Sequence, residues 1–245
     1  MLKIIRPEYL AVAVSVLALF VSLFDPFIAL TARSNIVVGL PTSIQLDTNL
    51  GHLNLRVKVS LANIGNAPGE FSRVECRLEN KNSGSSFEMN VVSIQLGYET
   101  TQFTMNVLEP SKTFLNFLNC FGNISEQSIE ASESLIRESN IELRKNGFEN
   151  CNHQAGRTPL VLSSALQSKL MANFDKNFGM VAAPYTLTIV AKDAKGEILS
   201  EASADMIVSQ AAVDELLRAK DNYAYGLGVS CPPTEIGSVF IRLKN

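Results

Sequence analysis

The sequence has little of what enzymes and nucleic-acid-binding proteins usually concentrate. It contains only two histidines, His52 and His153, and charged residues make up 18% of the chain. There is no basic block, and the formal net charge is −3. Since phosphate binding needs a concentrated cationic face, we predict that nucleic acid is not a partner.

The scarcity of histidine also narrows the catalytic possibilities. A serine-type triad would have to use His52 or His153, and no Gly-x-Ser-x-Gly motif accompanies either of them. His52 directly precedes the clearest strand pattern and is interpreted as a surface residue. The glycines at Gly226 and Gly228 lack the third glycine of a dinucleotide loop. We therefore predict no catalytic residue, no cofactor and no enzymatic activity.

The chain has four cysteines, which are Cys76, Cys120, Cys151 and Cys231. An even number in an exported chain fits disulfides, and we propose Cys76 with Cys120 and Cys151 with Cys231. A disulfide between Cys120 and Cys151 is an alternative pairing, and four reduced thiols are another alternative. Cys151 and His153 could ligate a metal, but the second spaced ligand pair of an exported zinc site is missing, so no metal site is predicted.

Residues 10–24, which begin at Leu10 and end at Phe24, contain no charge, no proline and no glycine. A helix of this composition is hydrophobic on every face and enters lipid, although a full span needs about 20 residues. The stretch predicts an uncleaved transmembrane helix that makes the membrane a partner. A cleaved secretory signal peptide is the alternative, because a short basic head precedes the apolar run.

The flanking charges predict the orientation of this anchor. Lys3 and Arg6 precede the apolar run, whereas Asp25 follows it directly. The positive-inside rule then places the N-terminus in the cytoplasm. Residues 1–33 are predicted to be a single-pass anchor in the inner or plasma membrane, with residues 34–245 periplasmic or extracellular.

The rest of the chain contains several short strand patterns. The clearest runs from Leu53 to Leu61, where every second residue is apolar. The apolar parity shifts between Val91 and Val92, which predicts a bulge or a strand break. Residues 113–121 are apolar on both faces, which is typical of a central strand. Such strands, at about 8 to 12 residue spacing, predict an antiparallel β-sandwich.

A helical period interrupts the strand patterns. Ser125 is suited to cap a helix whose last turn holds Lys145. Strands then return, and residues 223–231 are predicted to form one of the last. The predicted architecture is therefore mainly β with an α insertion. In it, residues 34–245 form one sandwich domain that a helical segment interrupts at about residues 123–180.

Two segments carry a resemblance to a known family. They are residues 55–69, with the sequence LRVKVSLANIGNAPG, and residues 107–114, with the sequence VLEPSKTF. Through them, residues 53–121 resemble the bacterial immunoglobulin-like modules of the CARDB type, which are related to cell-adhesion domains. The resemblance implies an immunoglobulin-like fold and an extracytoplasmic accessory or binding role. It brings no catalytic residues.

These observations favour a non-catalytic function. We predict a membrane-tethered binding or structural module that contacts a protein or a cell-envelope component through its loops. The alternatives are an exported hydrolase-like or metal-dependent enzyme within the helical insertion, with His153 as its main candidate residue, and a secreted protein with a cleaved signal peptide.

Overall fold

Strands make up most of the fold. The computed structural model describes residues 14–19, 32–96, 99–104, 106–122, 124–145, 161–229 and 237–244, and of residues 95, 96 and 99 only the backbone. The strands in this part of the chain are β1 (Ile36–Gly39), β2 (Ser43–Asn49), β3 (His52–Asn63), β4 (Gly69–Phe71), β5 (Arg73–Asn80), β6 (Ser86–Leu96), β7 (Glu99–Gln102), β8 (Asn106–Leu108), β9 (Thr113–Gly122), β10 (Ala183–Lys192), β11 (Ile198–Val208) and β12 (Ser238–Lys244).

Eight of these strands form a closed antiparallel ring. Its order is β3, β2, β12, β11, β10, β5, β6, β9 and then β3 again. β3 closes the ring because Leu55 lies opposite Leu46 of β2 on one side and opposite Cys120 of β9 on the other. β1 pairs with β3 beyond the end of β2, β7 pairs with β6, and β4 and β8 form a separate two-stranded sheet.

The predicted immunoglobulin-like sandwich is therefore wrong. A sandwich of that kind has two separate sheets with free edges, whereas here β9 hydrogen-bonds to both β3 and β6 and joins the two ends of the sheet. The physical reason for the error is that alternation shows which face of a strand is buried. It does not show whether the strands close into one sheet or divide into two.

The predicted N-terminal anchor is corrected as well. Of residues 10–24, only 14–19 are described, as a short helix with exposed side chains; Leu10, Phe24 and the other residues of that stretch lie outside the described residues. No helix in the described part of the chain is long and apolar enough to cross a membrane. The single-pass membrane location is therefore not supported, in keeping with a run shorter than the about 20 residues of a span.

The interior of the ring is the main hydrophobic core. Five alternate residues of β3 point into it, each at most 7% exposed, and they are Leu53, Leu55, Val57, Val59 and Leu61. This confirms the alternation expected for that strand. The predicted irregularity in β6 is also confirmed, because the pairing of β6 with β9 shifts register between Val91 and Ser93.

Four helical segments cover one end of the ring and its flank. They are α1 (Glu126–Lys145) and α2 (Ser164–Asn177), between β9 and β10, and α3 (Gln210–Leu217) with a 3-10 helix (Arg218–Tyr225), between β11 and β12. The Ser125 hydroxyl accepts the backbone N–H of Ser128 at 3.3 Å and caps α1 as predicted. The strand predicted over 223–231 is wrong, since its described part begins in the 3-10 helix and continues as turns.

The helices share a second, smaller hydrophobic cluster. Its buried members are Leu50, Leu135, Leu143, Leu162, Leu166, Leu170, Phe174, Ala219 and Tyr223. Phe178 and Leu217 pack against both this cluster and the ring interior. Leu50 belongs to the hairpin between β2 and β3, so the helices are attached to the ring through that hairpin.

Candidate functional site

The cysteines are the first residues to place. Cys76 of β5 and Cys120 of β9 form a disulfide with their Cα atoms 6.5 Å apart, and both side chains are buried. This is the pair that the strand pattern favoured. Cys151, Cys231 and His153 lie outside the described residues, so the second proposed bridge and the Cys151 with His153 ligand pair stay predictions.

The described residues offer no metal centre. In that part of the chain, no group of three or more histidine, cysteine, aspartate or glutamate side chains could hold an ion. Glu126, Glu130 and Glu133, three carboxylates on one face of α1, are exposed to solvent.

A pocket of about 420 Å³ lies at one end of the ring. Four elements meet there: the start of β3, the start of β6, the end of β9 and the segment that follows α2. Its polar side chains include His52, Glu88 and Asn177, and its apolar walls include Leu53, Phe87, Ile124, Phe178 and Met180. We call it the His52 pocket.

The hairpin between β2 and β3 fixes the position of this pocket. Gly51 has a φ of 87°, and a Cβ at this position would collide with the carbonyl oxygen of Phe174 in α2. The hairpin therefore packs directly against the last turn of α2. The side-chain amides of Asn173 and Asn177 both donate to the Leu50 carbonyl, at 3.5 and 3.3 Å. These contacts place His52 beside the residues that follow α2.

His52 is half-buried. Burial lowers the pKa of its imidazole below its usual value, which favours the uncharged ring. Its Nε2 atom is buried and has no hydrogen-bond partner among the described residues. A buried polar atom without a partner is uncommon and calls for an explanation. Sequence reasoning missed this site because a lone histidine beside a glycine carries no motif.

Glu88 stands at the edge of the same pocket. One of its carboxylate oxygens, Oε1, lies 3.3 Å from the guanidinium of Arg77, and its side chain is 56% exposed. Its other oxygen, Oε2, forms no ion pair within the part of the chain that the structure describes. Glu88 therefore keeps acceptor capacity toward the pocket.

A second depression, of about 320 Å³, lies on the outer face of β5, β6 and β10. Its three cations, Arg73, Arg77 and Lys192, are paired with its two carboxylates, Glu75 and Glu88. The Lys192 ammonium lies 2.6 Å from Glu75, and Arg73 lies 3.8 Å from the same carboxylate. Glu88 lines this depression too, so the two hollows adjoin. Because its charges are paired internally, this depression offers little to an incoming charged group.

The outer face of β9 presents a row of exposed apolar side chains. Leu115, Phe117 and Phe121 are 54%, 41% and 36% exposed and alternate with the buried Leu118 and Cys120. We call these three residues the β9 strip. β9 lies between β3 and β6, as its pattern predicted, and so both of its edges are already hydrogen-bonded.

Two cations of β3 lie against this strip. The Arg56 guanidinium carbon is 5.1 Å from the centroid of the Phe117 ring, and the Lys58 Nζ atom is 5.7 Å from it. These are cation–π distances. Neither cation forms an ion pair within 4 Å with a carboxylate in the described ranges. The strip is therefore apolar with positive charge along one side.

Comparison with known proteins adds little. No protein-family model matches the chain, and no curated protein matches it. One solved structure that it resembles is DesR, a β-glucosidase from Streptomyces venezuelae in complex with D-glucose, at 12% identity and a TM-score of 0.27. The match covers 71% of this chain but 15% of that one. At this TM-score the likeness carries no argument about fold or function.

Proposed function

We propose that the protein is a non-catalytic binding module that docks an acidic protein surface on the β9 strip. The observation that carries the proposal is the exposed Phe117 ring on a central strand, with Arg56 and Lys58 held over it. Exposed apolar rows of this kind are a feature of interaction sites. Aromatic and arginine side chains supply most of the binding energy at protein interfaces.

The geometry favours docking on the face of the sheet over addition of a strand. Both edges of β9 are occupied by β3 and β6, so no backbone groups are free to pair with an incoming strand at this place. A partner must therefore cover the side chains of the strip. A flat partner surface with one or two apolar residues at its centre can cover the strip in this way.

Charge selects the partner. Arg56 and Lys58 form no ion pair within 4 Å in the described part of the chain, although the charge of Arg56 acts on the buried Asp47 carboxylate of β2. A carboxylate from the partner would satisfy these donors, and the contact would strengthen as the interface excludes water. The proposed partner surface therefore carries aspartate or glutamate beside its apolar centre.

Site-specific crosslinking tests the proposal. A benzophenone amino acid is placed at Phe117 and, as a control, at Phe240, a 78% exposed phenylalanine of β12. After irradiation in cells, the crosslinked partner peptides are sequenced by mass spectrometry. We expect one acidic segment to be captured from position 117 and not from position 240.

Charge reversal makes the outcome decisive. Lys58→Glu in the position-117 protein should reduce capture at least about tenfold, because it turns an attraction at a desolvated interface into a repulsion. Lys244→Glu, which changes an exposed cation of β12, should leave capture unchanged. Equal capture from both crosslinking positions, capture of non-acidic segments or insensitivity to Lys58→Glu would contradict the proposal.

The enzyme alternative stays a prediction. Its main candidate residue, His153, lies outside the described residues, and the described ones contain no metal-binding group.

A further inference from the structure

The His52 pocket has the size and composition of a small-molecule site. At about 420 Å³ it falls within the range of roughly 300 to 1,000 Å³ that ligand pockets occupy. It lies where the ring interior and the helical cluster meet, with Phe178 packed against both. Leu53 and Met180 are buried in its wall. An apolar ligand body can therefore contact buried side chains there.

The polar groups of the pocket restrict the head group of such a ligand. Glu88 supplies a carboxylate whose Oε1 pairs with Arg77 and whose Oε2 forms no ion pair in the described part of the chain, and burial favours the uncharged form of His52. No lysine or arginine is among the described residues that line the pocket. The lining therefore favours a ligand that donates hydrogen bonds and carries positive charge, and it disfavours an anion.

A metal ion fits less well than an organic cation. His52 and Glu88 are the only histidine, cysteine, aspartate or glutamate side chains among the described lining residues. Two ligands are fewer than the four of a structural zinc site or the three protein ligands of a catalytic one.

We propose that the His52 pocket binds a small primary amine with an apolar body. The body contacts Phe87 and Phe178, while the ammonium donates to the Glu88 carboxylate. This ligand site is separate from the β9 strip, so either proposal can fail alone.

Three probes of the same size and different head groups test the proposal on the unmodified protein. They are benzylamine, benzyl alcohol and benzoate, titrated at neutral pH while the amide and imidazole resonances of the pocket are followed by NMR. Benzylamine should saturate with a Kd at least about tenfold below that of benzyl alcohol, because a charged hydrogen bond replaces a neutral one. Benzoate should not saturate. No saturable binding by any probe, or binding by benzoate as tight as by benzylamine, overturns the proposal.

Substitutions then assign the contacts. Glu88→Gln should raise the benzylamine Kd about tenfold and leave the benzyl alcohol Kd within about twofold. The control Glu75→Gln removes an ion-paired carboxylate of the neighbouring depression and should change neither Kd. If Glu88→Gln leaves benzylamine binding unchanged while the variant keeps the circular dichroism spectrum of the parent, the assigned head-group contact is wrong.

Discussion

Cys76 and Cys120 are linked across a strand that lies between them. Cys76 of β5 is opposite Met89 of β6, and Cys120 of β9 is opposite Val91 of the same strand. The disulfide therefore spans β6 on the inner face of the ring, close to the shift in the register of β6 and β9. It ties together three strands at the point where the ring closes.

The first prediction concerns this disulfide. It closes a loop with a sequence separation of 44, which the chain-entropy model values at about 4 kcal/mol. Cys76→Ala combined with Cys120→Ala should therefore lower the free energy of unfolding by about 3 to 4 kcal/mol, measured by urea denaturation. Each single variant should lose nearly as much as the double variant, because either change removes the same bridge. A double variant within about 0.5 kcal/mol of the parent would show that the bridge contributes little.

The second prediction concerns the packing of the β2–β3 hairpin on α2. Gly51 and Gly196 have the same φ of 87°, but a Cβ at Gly196 meets nothing within 4 Å. At Gly51 it would lie 3.0 Å from the Cβ of Asn177 and closer still to the Phe174 carbonyl. Gly196→Ala should cost only the left-handed backbone strain, about 1 to 2 kcal/mol. Gly51→Ala should cost about 1 to 3 kcal/mol more in urea denaturation. Equal losses of unfolding free energy in the two variants would mean that the hairpin moves away from α2 at no energetic cost.

Local patterns predicted the strands better than their arrangement. The alternation from Leu53 to Leu61 and the parity change near Val91 are properties of neighbouring residues, and both are found in the structure. Closure of the ring depends on the pairing of β9 with β3, whose residues are far apart in the sequence. No local pattern contains that information, so one closed sheet and two stacked sheets could not be told apart.

The same limit applies to the candidate sites. The two-faced apolar pattern of β9 predicted its central position, but not that Phe117 would be exposed beside Lys58. The His52 pocket depends on Asn177 reaching the Leu50 carbonyl, a contact over 127 positions of sequence. A tertiary contact of this kind leaves no local signal.

The turn after β3 shows an intermediate case. Residues 63–69, with the sequence NIGNAPG, are typical of a turn, and the structure places the buried side chain of Asn63 there. The Asn63 amide donates to the carbonyls of Ala67 and Leu108, both at 2.8 Å, and its oxygen accepts the backbone N–H groups of Asn35 and Gly65. The turn residues were therefore identified, but the role of Asn63 in joining separate segments required the fold.

The third prediction compares two buried tyrosines. The Tyr185 hydroxyl donates to the Val181 carbonyl at 3.1 Å and accepts from the Asn80 amide at 3.3 Å. The Tyr223 hydroxyl is buried with at most a weak backbone contact to Leu50, and burial raises the pKa of Tyr223 despite that contact. Tyr185→Phe should therefore lower the free energy of unfolding by about 1 to 3 kcal/mol, because it leaves Asn80 unsatisfied. Tyr223→Phe should change it by less than about 0.5 kcal/mol or increase it. The free energies of unfolding are measured by urea denaturation. A larger loss for Tyr223→Phe than for Tyr185→Phe would refute the assigned hydrogen bonding.

The last prediction concerns the pH dependence of stability. It uses two aspartates whose pKa values are shifted in opposite directions. Burial raises the pKa of Asp47 above 3.8, despite a hydrogen bond from Asn54 and the charge of Arg56. The hydrogen bonds from Lys81 and Thr186 lower the pKa of Asp205 below 3.8.

The signs of the two effects follow from linkage. A raised folded-state pKa means that Asp47 stabilises the fold below pH 3.8 and that this contribution is lost as the pH rises through the folded pKa. A lowered folded-state pKa means that Asp205 stabilises the fold above pH 3.8. This contribution is lost as the pH falls through the folded-state pKa of Asp205. At pH 7, Asp47→Asn should therefore increase the free energy of unfolding, whereas Asp205→Asn should decrease it. Urea denaturation from pH 7 to below pH 3.8 should show the Asp47→Asn difference shrinking as the pH falls toward 3.8, and the Asp205→Asn difference shrinking mainly below 3.8. A pH-independent difference for Asp47→Asn would exclude the burial effect.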